Sequence, residues 1–302
     1  MRTMTASASS NIDISISDEE LARFCEFFYR RTGIRMDGGK RYFADRRIAD
    51  RIVASGSSSF RDWFQMLHFQ SSGEELQQLV NAMTVNETYF FRESYQFDCL
   101  ANSMLDEIAD RKKRPGDRIR IWSVPCSTGE EPYSIAITLL EKWPRVDQYE
   151  IEIIASDIDS KALAHARAGV YDSRMVGKMP DAWLRKYFRP LGDDRWAIVD
   201  ILRGSVEWTA ANICDPGQTW RFRDIDVIFC RNLLIYFDDL SRRQAMDLFY
   251  ETLVPGGFVC LGHSEAMSAC TADRCWRPRA SSSMKRSMAS RGWRKPCSSP
   301  PT

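Results

Sequence analysis

The chain has 302 residues, of which 44% are hydrophobic and 27% are charged, and its formal net charge is +1. These values are typical of a globular protein with one large or two ordinary domains, and no apolar run approaches the length of a membrane-spanning helix. Eight Lys or Arg residues against one acid, Asp273, lie in residues 270–302, so the rest of the chain is mildly acidic. An acidic body argues against nucleic acid as the main partner.

The N-terminus and the cysteines indicate the compartment. Residues 1–16 are polar and lack an apolar h-region, so we expect no signal peptide and a disordered segment. The nine cysteines are scattered, with no C-x-x-C pair and no Cys/His metal spacing. We therefore expect a reduced, cytoplasmic protein that has no metal site.

Residues 17–83 have the pattern of a small all-helical domain. Ser17 and Glu20 fit a capping box at the start of a first helix. Apolar residues recur at helical spacing in four segments, as Ala44, Ile48 and Ile52 do in the second. Residues 84–96 follow without a clear period, and we expect them to be a linker.

Residues 97–269 predict an α/β domain. After one helix, strand patterns at 118–124, 150–156, 205–211, 224–230 and 256–262 are mostly separated by helical patterns at 132–142, 160–168, 181–188 and 240–253. Strands that alternate with helices predict a doubly wound, mostly parallel sheet of the Rossmann-like kind, here with a small β insertion at 189–208. The basic residues 270–302 have no usable period, so we expect a disordered tail; a basic arm for nucleic acid or anionic membrane is the alternative.

The turn after the first strand, CSTGEEP, points to the ligand. Ligands of doubly wound sheets lie beyond the carboxyl ends of the strands, yet this turn lacks the G-x-G-x-x-G and G-K-[ST] motifs. Glu130 and Glu131 would repel a pyrophosphate but suit a ligand with hydroxyls and positive charge. S-adenosylmethionine has both, and Asp157 at the end of the second strand is placed to accept from a ribose hydroxyl. Alternatively, the two glutamates only complement the helix dipole.

Arg231 and Asn232 follow the fourth strand and are expected over the same ligand. The D/N-P-P-Y type of motif found in methyltransferases that act on amino groups of bases is absent here. Base N-methylation is therefore disfavoured.

Five short segments in register resemble the signatures of one family. TVNETYFFRE, CSTGEEPYSIAI, ASDID, IFCRNLLIYF and GHSE resemble those of the chemotaxis receptor methyltransferases, the CheR family, from about Asp18 to Glu265. The resemblance implies an S-adenosylmethionine-dependent enzyme that methylates glutamate side chains on chemoreceptor cytoplasmic helices. It implies a class I methyltransferase fold with an all-α N-terminal domain, and it implies cofactor contacts from Asn86, Thr88, Arg92, Glu131, Asp157, Asn212, Ile213, Arg231 and Asn232. The first three lie in the linker, so the resemblance implies that residues 84–96 contribute to the cofactor site.

The resemblance also suggests how the substrate is held. A glutamate is already ionised at neutral pH, so methyl transfer needs alignment and exclusion of water rather than a strong base. Arg92 is expected to steer the carboxylate and Tyr236 to hydrogen-bond it. An acidic receptor helix would meet a basic stripe on the second helix, made of Lys40, Arg41, Arg46, Arg47 and Arg51. We expect a monomer that binds the receptor cytoplasmic domain, without nucleic acid and without membrane insertion.

The chain departs from the family pattern after GHSE. The family continues into a final pair of antiparallel strands, whereas residues 270–302 show no strand pattern. Two alternatives therefore stay open beside the enzyme: a non-catalytic regulatory module that binds S-adenosylmethionine, and a nucleic-acid methyltransferase that uses the basic tail.

Overall fold

The computed structural model describes residues 14–36, 39, 41–112, 114, 116–265 and 293–294. The chain divides into two compact units. Of the described residues, the first unit contains those up to 31 and from 35 to 83, and the second contains 32–34 and those from 84 onward.

The first unit is built from four helices. They are α1 (Asp18–Thr32), α2 (Arg41–Ala54), α3 (Phe60–Phe69) and α4 (Glu74–Met83). The predicted capping box is confirmed, because Ser17 N donates to Glu20 Oε2 at 2.9 Å and Glu20 N donates to Ser17 Oγ at 3.2 Å. The core contains Phe24, Ile48 and Trp63, all fully buried.

The predicted disordered N-terminus, residues 1–16, is too long by at least one residue. Ile16 is buried, and its carbonyl accepts from Arg41 Nη2 at 2.9 Å. Residues 1–13 lie outside the described part of the chain.

A buried acid joins three helices of this unit. Glu75 of α4 accepts from Arg51 Nε at 3.0 Å and Arg51 Nη2 at 2.5 Å, and from Trp63 Nε1 at 2.8 Å. The side chains of Glu75 and Arg51 are 7% and 19% exposed. Water therefore screens this pair little, and either charge alone would be left without compensation.

The second unit contains nine strands in the described residues. In chain order they are β1 (Arg118–Ser123), β2 (Glu150–Asp157), β3 (Val170–Asp172), β4 (Phe188–Gly192), β5 (Arg195–Ile198), β6 (Val206–Ala210), β7 (Ile225–Cys230), β8 (Leu253–Leu261) and β9 (Trp293–Arg294). Six form the main sheet in the order β6-β2-β1-β7-β8-β9. All neighbours in it are parallel except β8 and β9. The predicted doubly wound, mostly parallel sheet is confirmed.

Nine helices accompany these strands in the described chain. They are α5 (Ser94–Cys99), α6 (Leu105–Lys112), α7 (Glu130–Lys142), α8 (Ser160–Ala168), α9 (Ser173–Val176), α10 (Asp181–Tyr187), α11 (Asp200–Arg203), α12 (Pro216–Thr219) and α13 (Asp239–Thr252). A π-helical segment, Leu100–Met104, joins α5 to α6. Consecutive residues of one strand belong to different apolar clusters, as Ile121 and Trp122 of β1 do. The sheet is therefore covered on both faces, as parallel sheets require.

The small β insertion differs from the prediction of residues 189–208. Its antiparallel sheet has the order β3-β5-β4, so it already begins at Val170. Val206–Ala210 instead forms β6, which pairs in parallel with β2. A five-residue strand with only partial burial has no pattern that distinguishes a main-sheet edge from an insertion.

The tail contributes one short strand to the main sheet. The backbone of Trp293 and Arg294 pairs antiparallel with Val259 and Phe258 of β8. The expectation of no strand in residues 270–302 is therefore wrong for these two residues, and the rest of that segment lies outside the described residues.

Within the described ranges, none of the helices is both long and apolar enough to cross a membrane. The same ranges contain no group of three or more His, Cys, Asp or Glu side chains that could hold a metal ion.

The buried pair in the helical unit gives a stability prediction. Glu75→Gln should lower the free energy of unfolding by about 3 kcal/mol, since it leaves Arg51 uncompensated. The matched control is Glu26→Gln, which breaks the exposed Arg30–Glu26 pair and should change stability by less than about 0.5 kcal/mol. Urea unfolding followed by circular dichroism measures both. Equal effects of the two variants would contradict a structural role for the buried pair.

Candidate functional site

Two clefts lie at the carboxyl ends of the central strands. Pro125, which follows β1, lines both clefts. The segments that follow β1, β2 and β7 provide much of their lining. Because these strands are parallel neighbours, the segments that follow them meet at one edge of the sheet.

Five of the predicted cofactor residues line the first cleft. They are Thr88, Arg92, Glu131, Arg231 and Asn232. Thr88 and Arg92 come from the linker, which is fixed to the second unit by Phe90: this ring is 1% exposed and packs edge-to-face on Tyr171 and Phe188. The linker therefore forms a wall of the first cleft.

Three further predicted residues, Asp157, Asn212 and Ile213, line the second cleft. Most of the rest of its lining is apolar, including Val124, Leu233 and Phe237. A mostly apolar cleft with an acid at its edge suits a flat, partly hydrophobic group that carries hydroxyls.

Arg231 lies at the centre of an ionic network, with its side chain 3% exposed. Its Nη1 donates to Glu131 Oε2 at 2.9 Å, its Nη2 lies 3.5 Å from Glu93 Oε2, and Nη2 also donates to the carbonyl of Arg92. Burial raises the pKa of Glu131, and the positive charge of Arg231 opposes that rise. The Nε of Arg231 has no partner among the described atoms.

The two glutamates at the start of α7 have different environments. Glu131 also accepts from Ser123 Oγ at 2.7 Å and borders the first cleft. Glu130 is fully buried, accepts from Thr128 Oγ1 at 2.7 Å, and has an Oε1 without a partner in the described chain. Burial raises its pKa. Of the two glutamates, only Glu131 lines one of these two clefts.

Asp157 is held as an acceptor at the end of β2. Its Oδ2 accepts from Ser127 N at 2.7 Å and its Oδ1 from Asp159 N at 2.9 Å. Burial, reinforced by the charge of Asp159, raises the pKa of Asp157 to about 6, although the backbone N–H bonds lower it. The backbone N–H of Ile158 also bonds to this carboxylate, so about one of its four lone pairs is left for a ligand hydroxyl.

Asn86 lines neither cleft and instead contacts the turn that does. Its Nδ2 donates to Asp159 Oδ2 at 2.7 Å, and its Oδ1 accepts from Ser127 Oγ at 3.0 Å. Thr84 Oγ1 donates to the same Asp159 oxygen at 2.5 Å. The sequence interpretation missed Asp159, although an Asp directly before a helix is the usual N-cap signal.

Arg92 and Tyr236 differ in their relation to the first cleft. Arg92 Nη1 donates to the carbonyl of Glu87 at 3.0 Å, and its guanidinium lies 5.9 Å from the Tyr89 ring centroid. Lys178 Nζ lies 4.3 Å from the same centroid, a contact that sequence reasoning missed. No acid of the described chain forms an ion pair with Arg92 or Lys178.

Tyr236, in a 3₁₀ turn after β7, does not line the first cleft. Burial raises the pKa of Tyr236, as does the charge of Glu87, while the charge of Arg92 lowers it.

The predicted basic stripe is not a free cationic face. Arg51 is paired with Glu75, and Arg41 is bonded to Asp18 and to Asp45. Arg47 Nε donates to the carbonyl of Ala82 at 2.6 Å, and its guanidinium lies 3.4 Å from the Phe43 ring centroid. The aliphatic parts of arginine side chains can lie along apolar surface, and the guanidinium groups of Arg47 and Arg51 then bond to acceptors within the same unit.

Two members of the stripe remain. Arg46 is exposed and has no ion pair among the described residues, and Lys40 lies outside them.

Two family models together match most of the chain. The model described as "CheR methyltransferase, SAM binding domain" matches residues 86–278, and that described as "CheR methyltransferase, all-alpha domain" matches residues 19–84. The chain belongs to the CheR family. It is an S-adenosylmethionine-dependent methyltransferase of chemotaxis.

Curated relatives agree with this family. Chemotaxis protein methyltransferase 2 of Vibrio cholerae is 51% identical over 85% of this chain and 88% of its own length. Those of Borreliella burgdorferi and Pseudomonas aeruginosa are 32% and 33% identical, over 85% and 84% of this chain and 91% and 93% of their own lengths. All three are named as methyltransferases, so a non-catalytic module is not favoured.

Gly129, the N-cap of α7, gives a test of the turn. Its φ is +98°, and an added Cβ would lie 2.9 Å from Ala166 Cβ and from the Tyr171 hydroxyl. Gly129→Ala should lower the free energy of unfolding by about 3 kcal/mol, from backbone strain and overpacking together. The control is Gly192→Ala, which has φ +82° and open space around it, and should cost about 1 kcal/mol. Equal losses in thermal and urea unfolding would show that the close packing contributes nothing.

Proposed function

We propose that this CheR-family enzyme transfers the methyl group of S-adenosylmethionine to glutamate side chains on chemoreceptor cytoplasmic helices, forming methyl esters in the cytoplasm. The observation that carries the proposal is Arg92. It lines the first cleft and has no acidic partner among the described residues, whereas Arg231 beside it is fully balanced by Glu131 and Glu93. An unbalanced cation at a cleft attracts a substrate carboxylate.

The donors and acceptors of the two clefts fit the cofactor. Asp157 offers a lone pair to a ribose hydroxyl, and Asn212 and Ile213 line the apolar second cleft beside it. Thr88, Glu131 and Asn232 present polar groups in the first cleft to the amino-acid part of the cofactor. When bound, S-adenosylmethionine supplies a methyl group that its cationic sulfonium makes electrophilic. Asn86 supports the site through Ser127 and Asp159.

The protein's own residues align the substrate. A glutamate carboxylate is ionised at neutral pH, so no general base has to remove a proton. Arg92 draws the carboxylate to the cleft, and the Tyr236 hydroxyl donates a hydrogen bond to it. Because burial raises the pKa of Tyr236, the hydroxyl keeps its proton and stays a donor at physiological pH. The rate gain then comes from positioning and from the exclusion of water.

Fewer basic side chains of the predicted stripe are available to bind an acidic receptor helix than the sequence suggested. Arg46 on α2 is exposed and without an ion pair in the described chain, and we keep it and Lys40 as substrate contacts. Arg41, Arg47 and Arg51 are engaged within the helical unit, so we assign them a structural role. Lys178 adds a cation near Tyr89.

The decisive experiment is transfer of labelled methyl from S-adenosylmethionine to a receptor cytoplasmic fragment, followed by base, which releases methanol from carboxyl methyl esters. Arg92→Gln should lower kcat/KM for the fragment about 100-fold or more, since it removes a charged partner of the carboxylate. The control is Arg145→Gln, whose guanidinium pairs with Asp110 outside the clefts, and it should change kcat/KM less than twofold. If a folded protein that binds the cofactor released no methanol with several receptor fragments, glutamate would not be its substrate.

Asp157 gives a pH prediction. A ribose hydroxyl donates to the carboxylate, so only the ionised form binds well, and this form is lost as the pH falls through about 6. The Kd for S-adenosylmethionine should rise about tenfold between pH 7 and pH 5, since one pH unit below the pKa leaves about a tenth ionised. Calorimetry across this range measures the change. Asp157→Asn should bind more weakly at pH 7 and lose this pH dependence; a variant that kept it would exclude Asp157 as its origin.

A further inference from the structure

We propose that Glu265 is a positioning residue that sets the walls of both clefts. Its carboxylate is 8% exposed and accepts three backbone N–H groups. Oε2 accepts from Asn232 N and from Gly262 N, both at 2.8 Å, and Oε1 accepts from Leu234 N at 2.7 Å. None of the cations in the described chain pairs with it, so these donors compensate its charge.

The bonds bracket the segment that leaves β7. Asn232 has φ +60°, a left-handed conformation that a non-glycine residue keeps only when its surroundings enforce it. The two Glu265 oxygens hold the N–H groups on either side of Leu233. Asn232 lines the first cleft and Leu233 the second, so one carboxylate fixes a residue of each.

The third bond ties this segment to the neighbouring strand. Gly262 directly follows β8, and its N–H shares Oε2 with Asn232 N. A Cβ at Gly262 would lie 2.7 Å from Oε2 and 3.1 Å from Asn232 N, so glycine leaves the room that the carboxylate needs. Glu265 therefore joins the ends of two parallel strands at the cofactor edge of the sheet.

The proposal rests on the assignment of Asn232 to the cofactor site. Glu265→Gln keeps the size of the side chain but replaces one carboxylate oxygen by an NH₂ group. This donor then faces backbone N–H groups, either those of Asn232 and Gly262 or that of Leu234, and cannot accept from them. The Kd for S-adenosylmethionine, measured by calorimetry, should rise about tenfold. A side chain that served stability alone would lower the Tm without weakening cofactor binding by the folded protein.

The matched control is Asp226→Asn. Asp226 is a 1% exposed carboxylate near the other end of β7; it accepts Arg120 N at 2.9 Å and pairs with Lys112 at 3.0 Å. This variant should lower the Tm but change the Kd less than twofold. If Asp226→Asn raised the Kd as much as Glu265→Gln, general destabilisation would explain both changes and the proposal would be overturned.

Gly262→Ala displaces the same carboxylate without removing its charge, because the added Cβ would lie 2.7 Å from Oε2. This variant tests the positioning role if Glu265→Gln does not fold. It should also raise the Kd about tenfold, and an unchanged Kd in this variant would overturn the proposal.

Asn232→Ala separates this proposal from the assignment on which it rests. If Asn232→Ala alone leaves the Kd unchanged, Asn232 does not contact the cofactor and the site assignment fails. If it weakens binding while Glu265→Gln and Gly262→Ala do not, only the positioning role fails. In the Asn232→Ala background, Glu265→Gln should raise the Kd about threefold or less, because only its effect through Leu233 remains. A full tenfold rise there would show that Glu265 does not act through Asn232.

Discussion

The site depends on the burial of one guanidinium. The Arg231 side chain is 3% exposed, and its charge is tolerated because two segments supply three partners: the start of α7 supplies Glu131, and the linker supplies Glu93 and the carbonyl of Arg92. A buried cation without such partners would be strongly destabilising. The linker therefore has to lie against the carboxyl ends of β1 and β7. As a result, this irregular segment forms a wall of the first cleft.

The same network determines which charged side chains at the clefts are already paired within the protein. Glu93 and Glu131 neutralise Arg231, so neither is available to neutralise Arg92, which follows the same linker into the cleft. Burial raises the pKa of Glu130, Glu131 and Asp157, and neighbouring donors limit that rise. The two clefts are therefore lined by acceptors, Glu131 and Asp157, and by one arginine, Arg92, that has no ion pair among the described residues.

Features set by local pattern and strand position could be predicted from the sequence. The capping box of Ser17 and Glu20, the parallel sheet, and the approach of Glu131, Arg231 and Asn232 follow from short-range signals and from the shared edge of parallel strands. The partners of long side chains could not be predicted. The sequence predicts Arg47 and Arg51 in a basic stripe for an acidic receptor helix. Their partners inside the helical unit, the carbonyl of Ala82 and the carboxylate of Glu75, lie close only after the helices pack. Asn86 likewise supports the turn through Asp159 rather than lining a cleft.

Arg92 and Arg231 show why residue type alone does not assign a role. Both are arginines near one cleft, but Arg231 is enclosed by carboxylates of its own chain, and Arg92 meets only a carbonyl and an aromatic ring among its described contacts. Both terminal nitrogens of Arg231 are engaged within the protein. The proposed roles differ for this reason: Arg231 is paired with acids of its own chain, whereas Arg92 lines the same cleft without an acidic partner among the described residues.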